Sequence, residues 1–195
     1  MQIKRYIVIS FLLVCFHICI VAQDIKHDDI KKLERAIEYF QGRKYHEALL
    51  LLQDLNKKYA LNPRFKAYLG VCYYYDWDYK NACKFLEEII NDLNILAPHE
   101  QAVYYYCLAE SYFIQNKYNE AVPFYEKTIN ICYDNEKADI LYKLAMCYMN
   151  KNYKDIAYDY FQSSLAYYKH FGIPHDKIQR IIQINNMIQE YKERH

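Results

Sequence analysis

The sequence predicts an all-α protein built as an array of about four helical hairpins, and three observations carry that expectation. Alanine recurs at Ala48, Ala82, Ala121 and Ala157, spaced 34, 39 and 36 residues apart. Each is preceded by a tyrosine (Tyr45, Tyr79, Tyr118, Tyr153) and followed four residues later by a large side chain (Leu52, Leu86, Tyr125, Phe161). Such a period is long enough for two helices and two turns but too short for an independent core, so neighbouring copies must share one. Apolar residues also follow the 3.6-residue period of a helix face throughout. Finally, 3 Gly and 4 Pro in 195 residues leave little material for the turns of a β-rich fold.

Each copy opens with a helix whose apolar face recurs at offsets 0, 3, 4 and 7. The residues are Leu33, Ala36, Ile37 and Phe40 in the first copy, and Lys66, Leu69, Gly70 and Tyr73 in the second. Tyr105, Leu108, Ala109 and Tyr112 follow in the third, and Leu141, Leu144, Ala145 and Tyr148 in the fourth. Lys66 stands at the outer end of its face, where a lysine can bury its stem and keep its ammonium in water. The second helices begin their faces at Ala48, Ala82, Ala121 and Ala157. A small residue in each first helix (Ala36, Gly70, Ala109, Ala145) facing an alanine of the second lets the two backbones approach closely. Asp176–Arg194 reads as a last helix, with Ile178, Ile181, Ile182, Asn185 and Ile188 on one side, capping the array.

A small residue, a tyrosine three later, a short Asn/Asp/Gly turn and then Tyr and Ala together resemble the tetratricopeptide repeat. The resemblance covers roughly residues 29–170, with copies at about 29–62, 63–98, 99–135 and 136–170 and the capping helix at 176–194. It implies a right-handed superhelical array in which the first helices line a concave surface. The family's proline between copies is matched by Pro63 and Pro98, replaced by Asp134-Asn135, and echoed in Gly172-Ile173-Pro174. Counted from Phe40 to Tyr45 and from Tyr148 to Tyr153, the first and last turns come out one residue shorter than those from Tyr73 to Tyr79 and Tyr112 to Tyr118.

Lys4 and Arg5 followed by an apolar stretch from Ile7 to Val21 have the layout of a secretory signal peptide cut after Ala22. Residues 23–195 would then be the mature domain, exported to a periplasm or beyond. A retained N-terminal membrane anchor is the alternative, although the stretch is short for a spanning helix. Loss of Lys4 and Arg5 takes the formal charge from +1 to −1, which implies no long-range attraction to nucleic acid or an anionic membrane. The mature chain keeps five cysteines, an odd number for an oxidising compartment. They are expected to pack as small buried hydrophobes, with a Cys72–Cys83 disulfide within one copy as the alternative. No phosphate loop, Gly-x-Ser-x-Gly or His-Glu-x-x-His motif occurs, and no enzyme activity, cofactor or metal is implied.

A concave surface follows from the resemblance, and rotation away from the hairpin-packing face places its residues. These are Ala67, Val71, Tyr74 and Tyr75 in copy two, Val103, Tyr106, Glu110, Phe113 and Ile114 in copy three, and Asp139, Tyr142, Met146, Met149 and Asn150 in copy four. Aromatic residues and Met supply large contact area at low ordering cost, so the face suits a peptide segment of a partner protein. It lacks the Lys/Arg pair with which some repeats of this family hold a terminal carboxylate. The expected function is an exported interaction scaffold or adaptor; homodimerisation through the same face is one form of it, and burial under the capping helix is the competing role. A small-ligand site for a glycan, with Tyr faces and Glu110, Asp139 or Asn150 as polar contacts, is the alternative function.

Overall fold

The computed structural model describes residues 27–194, and among these all regular structure is helical. The expected leader, residues 1–22, lies outside the described residues. The chain divides into two compact units between Leu61 and Asn62.

The first unit is one hairpin, α1 over 27–41 and α2 at Tyr45–Lys58. Its helices are tied by a polar cluster. Buried Asp29 accepts from the Tyr59 hydroxyl at 2.7 Å and from Lys58 Nζ at 3.0 Å, while Lys32 Nζ reaches Asp54 at 2.5 Å. These donors hold the Asp29 carboxyl below the usual carboxylate range.

The second unit contains α3 (Pro63–Tyr75), α4 (Tyr79–Ile89), α5 (Pro98–Ile114), α6 (Tyr118–Ile131), α7 (Lys137–Asn150), α8 (Lys154–Phe171) and α9 (Ile178–Arg194). Helices α3 and α4, α5 and α6, and α7 and α8 pair as hairpins. Helix α4 packs on α5, α6 on α7, and α9 on α8. Pro63 and Pro98 open α3 and α5 at a position where a missing N–H costs nothing, and Asn62 accepts from Phe65 N to cap α3.

All four hairpins turn in the same way. Arg43, Trp77, Asn116 and Asn152 have φ of 58, 61, 60 and 64°, the left-handed region. The residue after each donates its N–H back to the carbonyl of Tyr39, Tyr73, Tyr112 or Tyr148, and the left-handed residue itself to the next carbonyl. This is the Schellman closure of a helix C-terminus. Asparagine suits the left-handed position, whereas Arg43 and Trp77 carry a cost of about 1 kcal/mol each. The four turns are therefore equal in length. Tyr39, not Phe40, is the counterpart of Tyr73, and Tyr153 takes the place of Lys44, Asp78 and Lys117 instead of that of the other repeat tyrosines. The apparent shortness of the first and last turns came from aromatic residues displaced by one position.

The framework tyrosines have a packing role in the second unit. Tyr73 lies nearly parallel to Phe85 at 5.3 Å, Tyr112 to Phe124 at 6.0 Å and Tyr148 to Tyr160 at 5.5 Å. Leu52, Leu86, Tyr125 and Phe161, four residues past each alanine, are almost completely buried. Each contributes roughly 1.5–3 kcal/mol through removal from water.

Helix α9 caps the end of the unit with a different face from the expected one. Ile181 and Ile184 are buried, with Met187 and Ile188 partly so, whereas Ile178, Ile182 and Asn185 are exposed. The isoleucines allow two rotations of the helix, and polar bonds select between them. Gln183 accepts from the Tyr142 hydroxyl at 2.9 Å, and Arg180 donates to Asp139.

Gly70 faces Leu86 rather than Ala82: a Cβ placed on it would lie 2.6 Å from Leu86 Cγ and 3.4 Å from the Leu86 backbone nitrogen. Alanine would gain up to about 1 kcal/mol of helix propensity, but wedging α3 from α4 costs about 1–3 kcal/mol. Gly70→Ala is therefore expected to lower stability by about 1 kcal/mol, read as a reduced urea midpoint; a raised midpoint would mean that the hairpin relaxes freely.

Candidate functional site

Helix α5 carries the centre of the expected groove. Its inner face, Leu108, Ala109 and Tyr112, is buried, and its outer stripe runs Val103, Tyr106, Glu110, Phe113 and Ile114. Val103 and Ile114 are exposed, and Tyr106 and Phe113 half-buried. Glu110, in the middle of the stripe, is only 5% exposed. One of its carboxylate oxygens accepts from the Tyr125 hydroxyl of α6, and the other takes Lys143 Nζ of α7 at 2.7 Å. The Lys143 ammonium also sits 4.4 Å from the centre of the Phe113 ring. Three consecutive helices thus meet on one buried carboxylate. Burial, reinforced by the Glu110 charge, pushes the Tyr125 hydroxyl far above its ordinary value, so it stays a donor.

Several expected groove residues are turned away from any partner. Ala67 and Val71 are buried and Glu110 is engaged internally, so none of the three presents a free surface. Tyr142 is buried, and Met146 and Met149 pack against the core cluster that Tyr142 forms with Phe161, Tyr168 and the α9 residues Ile181 and Ile184. In copy four the capping helix therefore occupies the face that helical rotation had assigned to the groove. Asp139 accepts from the Tyr168 hydroxyl at 2.5 Å and from Arg180, whose guanidinium lies 4.7 Å from the centre of the Tyr142 ring. Of the polar contacts expected for a glycan, Glu110 and Asp139 already hold internal donors, and Asn150 donates to the Met146 carbonyl at 2.8 Å.

What stays open is a cavity of about 390 Å³ near the start of α5 and α7. Tyr75 at the end of α3 and Val103 and Tyr106 on α5 form one side. Tyr133, Glu136 and Asp139, from the α6–α7 connection and the first turn of α7, form the other. Tyr75 is 48% exposed and Tyr133 55%, and His99 stacks on the Tyr133 ring at 3.6 Å. Of the expected site residues, Tyr75 and Tyr106 line this cavity. Tyr74 packs edge-on against Tyr75 at 5.0 Å, and Phe113 and Ile114 lie further along α5. Tyr133, His99 and Glu136 escape periodicity arguments because they stand in connections or at a helix start. The one sequence trace of Tyr133 and Glu136 is the 36-residue spacing from Ala121 to Ala157, which exceeds the shortest spacing and marks extra residues between copies three and four. Those extra residues form a 3₁₀ turn, Asp134–Glu136, which Glu136 steadies by accepting from Tyr133 N at 3.1 Å.

The five described cysteines are all free and buried, Cys72 and Cys83 included. Burial pushes the Cys72 and Cys147 thiols up to about 12 and Cys83 to about 11, which makes them poor nucleophiles. Among the described residues no His/Cys/Asp/Glu group has the arrangement to hold a metal, and no helix is long and apolar enough to cross a membrane.

Fold and site together define a helical-repeat protein of tetratricopeptide-like build. No family model matches the chain, and no characterised protein matches it in sequence. Its likeness is to solved structures of MamA, itself a tetratricopeptide-like repeat protein. One, MamA AMB-1, superposes with a TM-score of 0.62 at 17% identity over 86% of this chain and 93% of that one. A mutant form gives 0.60 at 18% identity over 83% and 98%, and a further MamA structure 0.58 at 21% over 72% and 73%. This is a likeness of fold.

The Glu110–Lys143 pair makes a directional prediction. Lys143→Met leaves a buried carboxylate with a single hydroxyl donor and is expected to cost about 2–4 kcal/mol. Glu110→Gln leaves an ammonium that keeps the Phe113 ring and can turn toward water, at about 1–2 kcal/mol. Denaturant titration of both variants checks the order, and the reverse order would show that the carboxylate has other support.

Proposed function

We propose that this protein is an exported adaptor, a non-enzymatic scaffold that docks a peptide segment of a partner protein. The observation that carries the reading is the aromatic cavity between α5 and the α6–α7 connection. Its size lies within the roughly 300–1,000 Å³ of ordinary binding pockets, and exposed Tyr and Val side chains surround it. A repeat fold supports the same reading, since stacked hairpins present side chains from several helices to one extended surface. Tyr106 is the central anchor. It is half-buried and faces the cavity from the middle of α5, and burial raises its hydroxyl above the ordinary range, so it meets a ligand as a neutral donor.

Export rests on the basic-then-apolar layout of residues 1–22. The buried thiols are compatible with an oxidising compartment, because withheld thiolates are slow to exchange disulfides and an odd set can persist.

Two measurements test the proposal. Peptides selected from a random library on the purified protein are expected to bind wild type at least about tenfold more tightly than Tyr106→Ala, equivalent to about 1.4 kcal/mol at the anchor. Equal affinity for a folded variant would move the site elsewhere. Protein recovered from its producing cell should begin at Gln23; an intact Met1 terminus would overturn cleavage after Ala22.

A further inference from the structure

Among the described residues of the second unit, a carboxylate and an aromatic ring of one helix share a cation from another at two places. Lys143 lies over Phe113 and pairs with Glu110, and Arg180 lies over Tyr142 and pairs with Asp139. In both, the cation comes from an adjoining helix and satisfies ring and carboxylate at once, an arrangement that gains strength as water is excluded. The cavity repeats two of the three parts. Its walls bring the rings of Tyr75, Tyr106 and Tyr133 together with the Glu136 carboxylate. Lys137, the adjacent cation, is turned to Asp134 at 2.7 Å, and Arg180 is held by Asp139, three residues on from Glu136. Glu136 accepts only the Tyr133 N–H through one oxygen, and no cation among the described residues pairs with it.

We propose that this cavity takes a cationic side chain, arginine or lysine, from the docked partner, with the tyrosine rings around its stem and charge and with Glu136 as counter-ion. The proposal deepens the adaptor reading and rests on it for the source of the side chain. Charge complementarity selects the occupant: a neutral apolar anchor would fill the rings but leave Glu136 desolvated without compensation, a cost that a cation removes.

The probes are Nα-acetylarginine amide and its uncharged near-isostere Nα-acetylcitrulline amide, titrated into the isotopically labelled full chain and followed by NMR. Saturable shifts at the amides of Ala102, Val103 and Ile140 are expected with the arginine probe, and about tenfold weaker binding with citrulline. Glu136→Gln should weaken the arginine probe about fivefold while leaving the thermal midpoint in place, since Glu136 is exposed and bonds only within its own turn. Equal response to the two probes, shifts centred elsewhere, or an unchanged affinity in Glu136→Gln would overturn the assignment. The comparison of probes on wild type does not depend on the variant folding. Selected library peptides whose binding survives replacement of every basic residue would overturn the cation assignment and leave the adaptor reading intact. Arginine binding with the stated discrimination would uphold the cavity even if no peptide were selected.

Discussion

Close approach of the two helices in each hairpin is the constraint on which the other features depend. It needs a small residue on the first helix, at Ala36, Gly70, Ala109 and Ala145, and a large one at the matching place on the second, at Leu52, Leu86, Tyr125 and Phe161. Three of those large residues are hydrocarbon, but Tyr125 carries a hydroxyl into the interior, where an unsatisfied donor would cost about 1–3 kcal/mol. Glu110 answers it, and a buried carboxylate in turn demands a cation, which Lys143 supplies from the next hairpin. Lys143 then lies over Phe113. One oxygen atom at a packing position thus accounts for a polar bridge across α5, α6 and α7 and removes Glu110 from the surface that its place on the helix wheel would give it.

The helices and their pairing were legible because burial and the 3.6-residue period are coupled directly. Register was less legible for a physical reason. Leu33, Ile37 and Phe40 form an acceptable apolar stripe and are indeed half-buried, yet the backbone closure places Tyr39 in the position of Tyr73, Tyr112 and Tyr148. A stripe wider than 100° tolerates a shift of one residue, whereas a hydrogen bond to a particular carbonyl does not. The same distinction applies to α9. Its isoleucines fit two faces, and only the bonds to Asp139 and Tyr142, which depend on tertiary placement, choose between them.

The groove was legible in part. Tyr75 and Tyr106 were recognisable because they project from first helices away from the hairpin partner. Tyr142, Met146 and Met149 satisfy the same test and are nevertheless core, since a helix wheel identifies an outward face without revealing what later chain lies on it. Tyr133, His99 and Glu136 fail the test altogether: they belong to a connection and a helix start, where side-chain direction is fixed by turn geometry. A framework tyrosine such as Tyr125, accounted for by packing alone, proves to carry a polar role that its alignment with Leu86 and Phe161 conceals.

The boundary between covered and open surface is itself set by charge. Helix α9 packs on α8, with Ile181 and Ile184 in the core shared with α7, and is held at its start by Arg180 on Asp139, one of the residues that wall the cavity. Beyond Arg180 toward the N-terminus of α9 the chain turns through an exposed segment, with Gly172 at φ 91° and Pro174 before the 3₁₀ turn His175–Lys177. Asp139 also takes Lys177 Nζ at 3.6 Å, from the residue just before α9. On one side of that carboxylate the protein supplies its own helix with an arginine to meet an aromatic ring and an acid. On the other side, lining the cavity, lie Tyr75, Tyr106 and Tyr133 with the Glu136 carboxylate. The capping helix thus shows in its own contacts how a cation from another segment meets a ring and a carboxylate at the edge of this cavity.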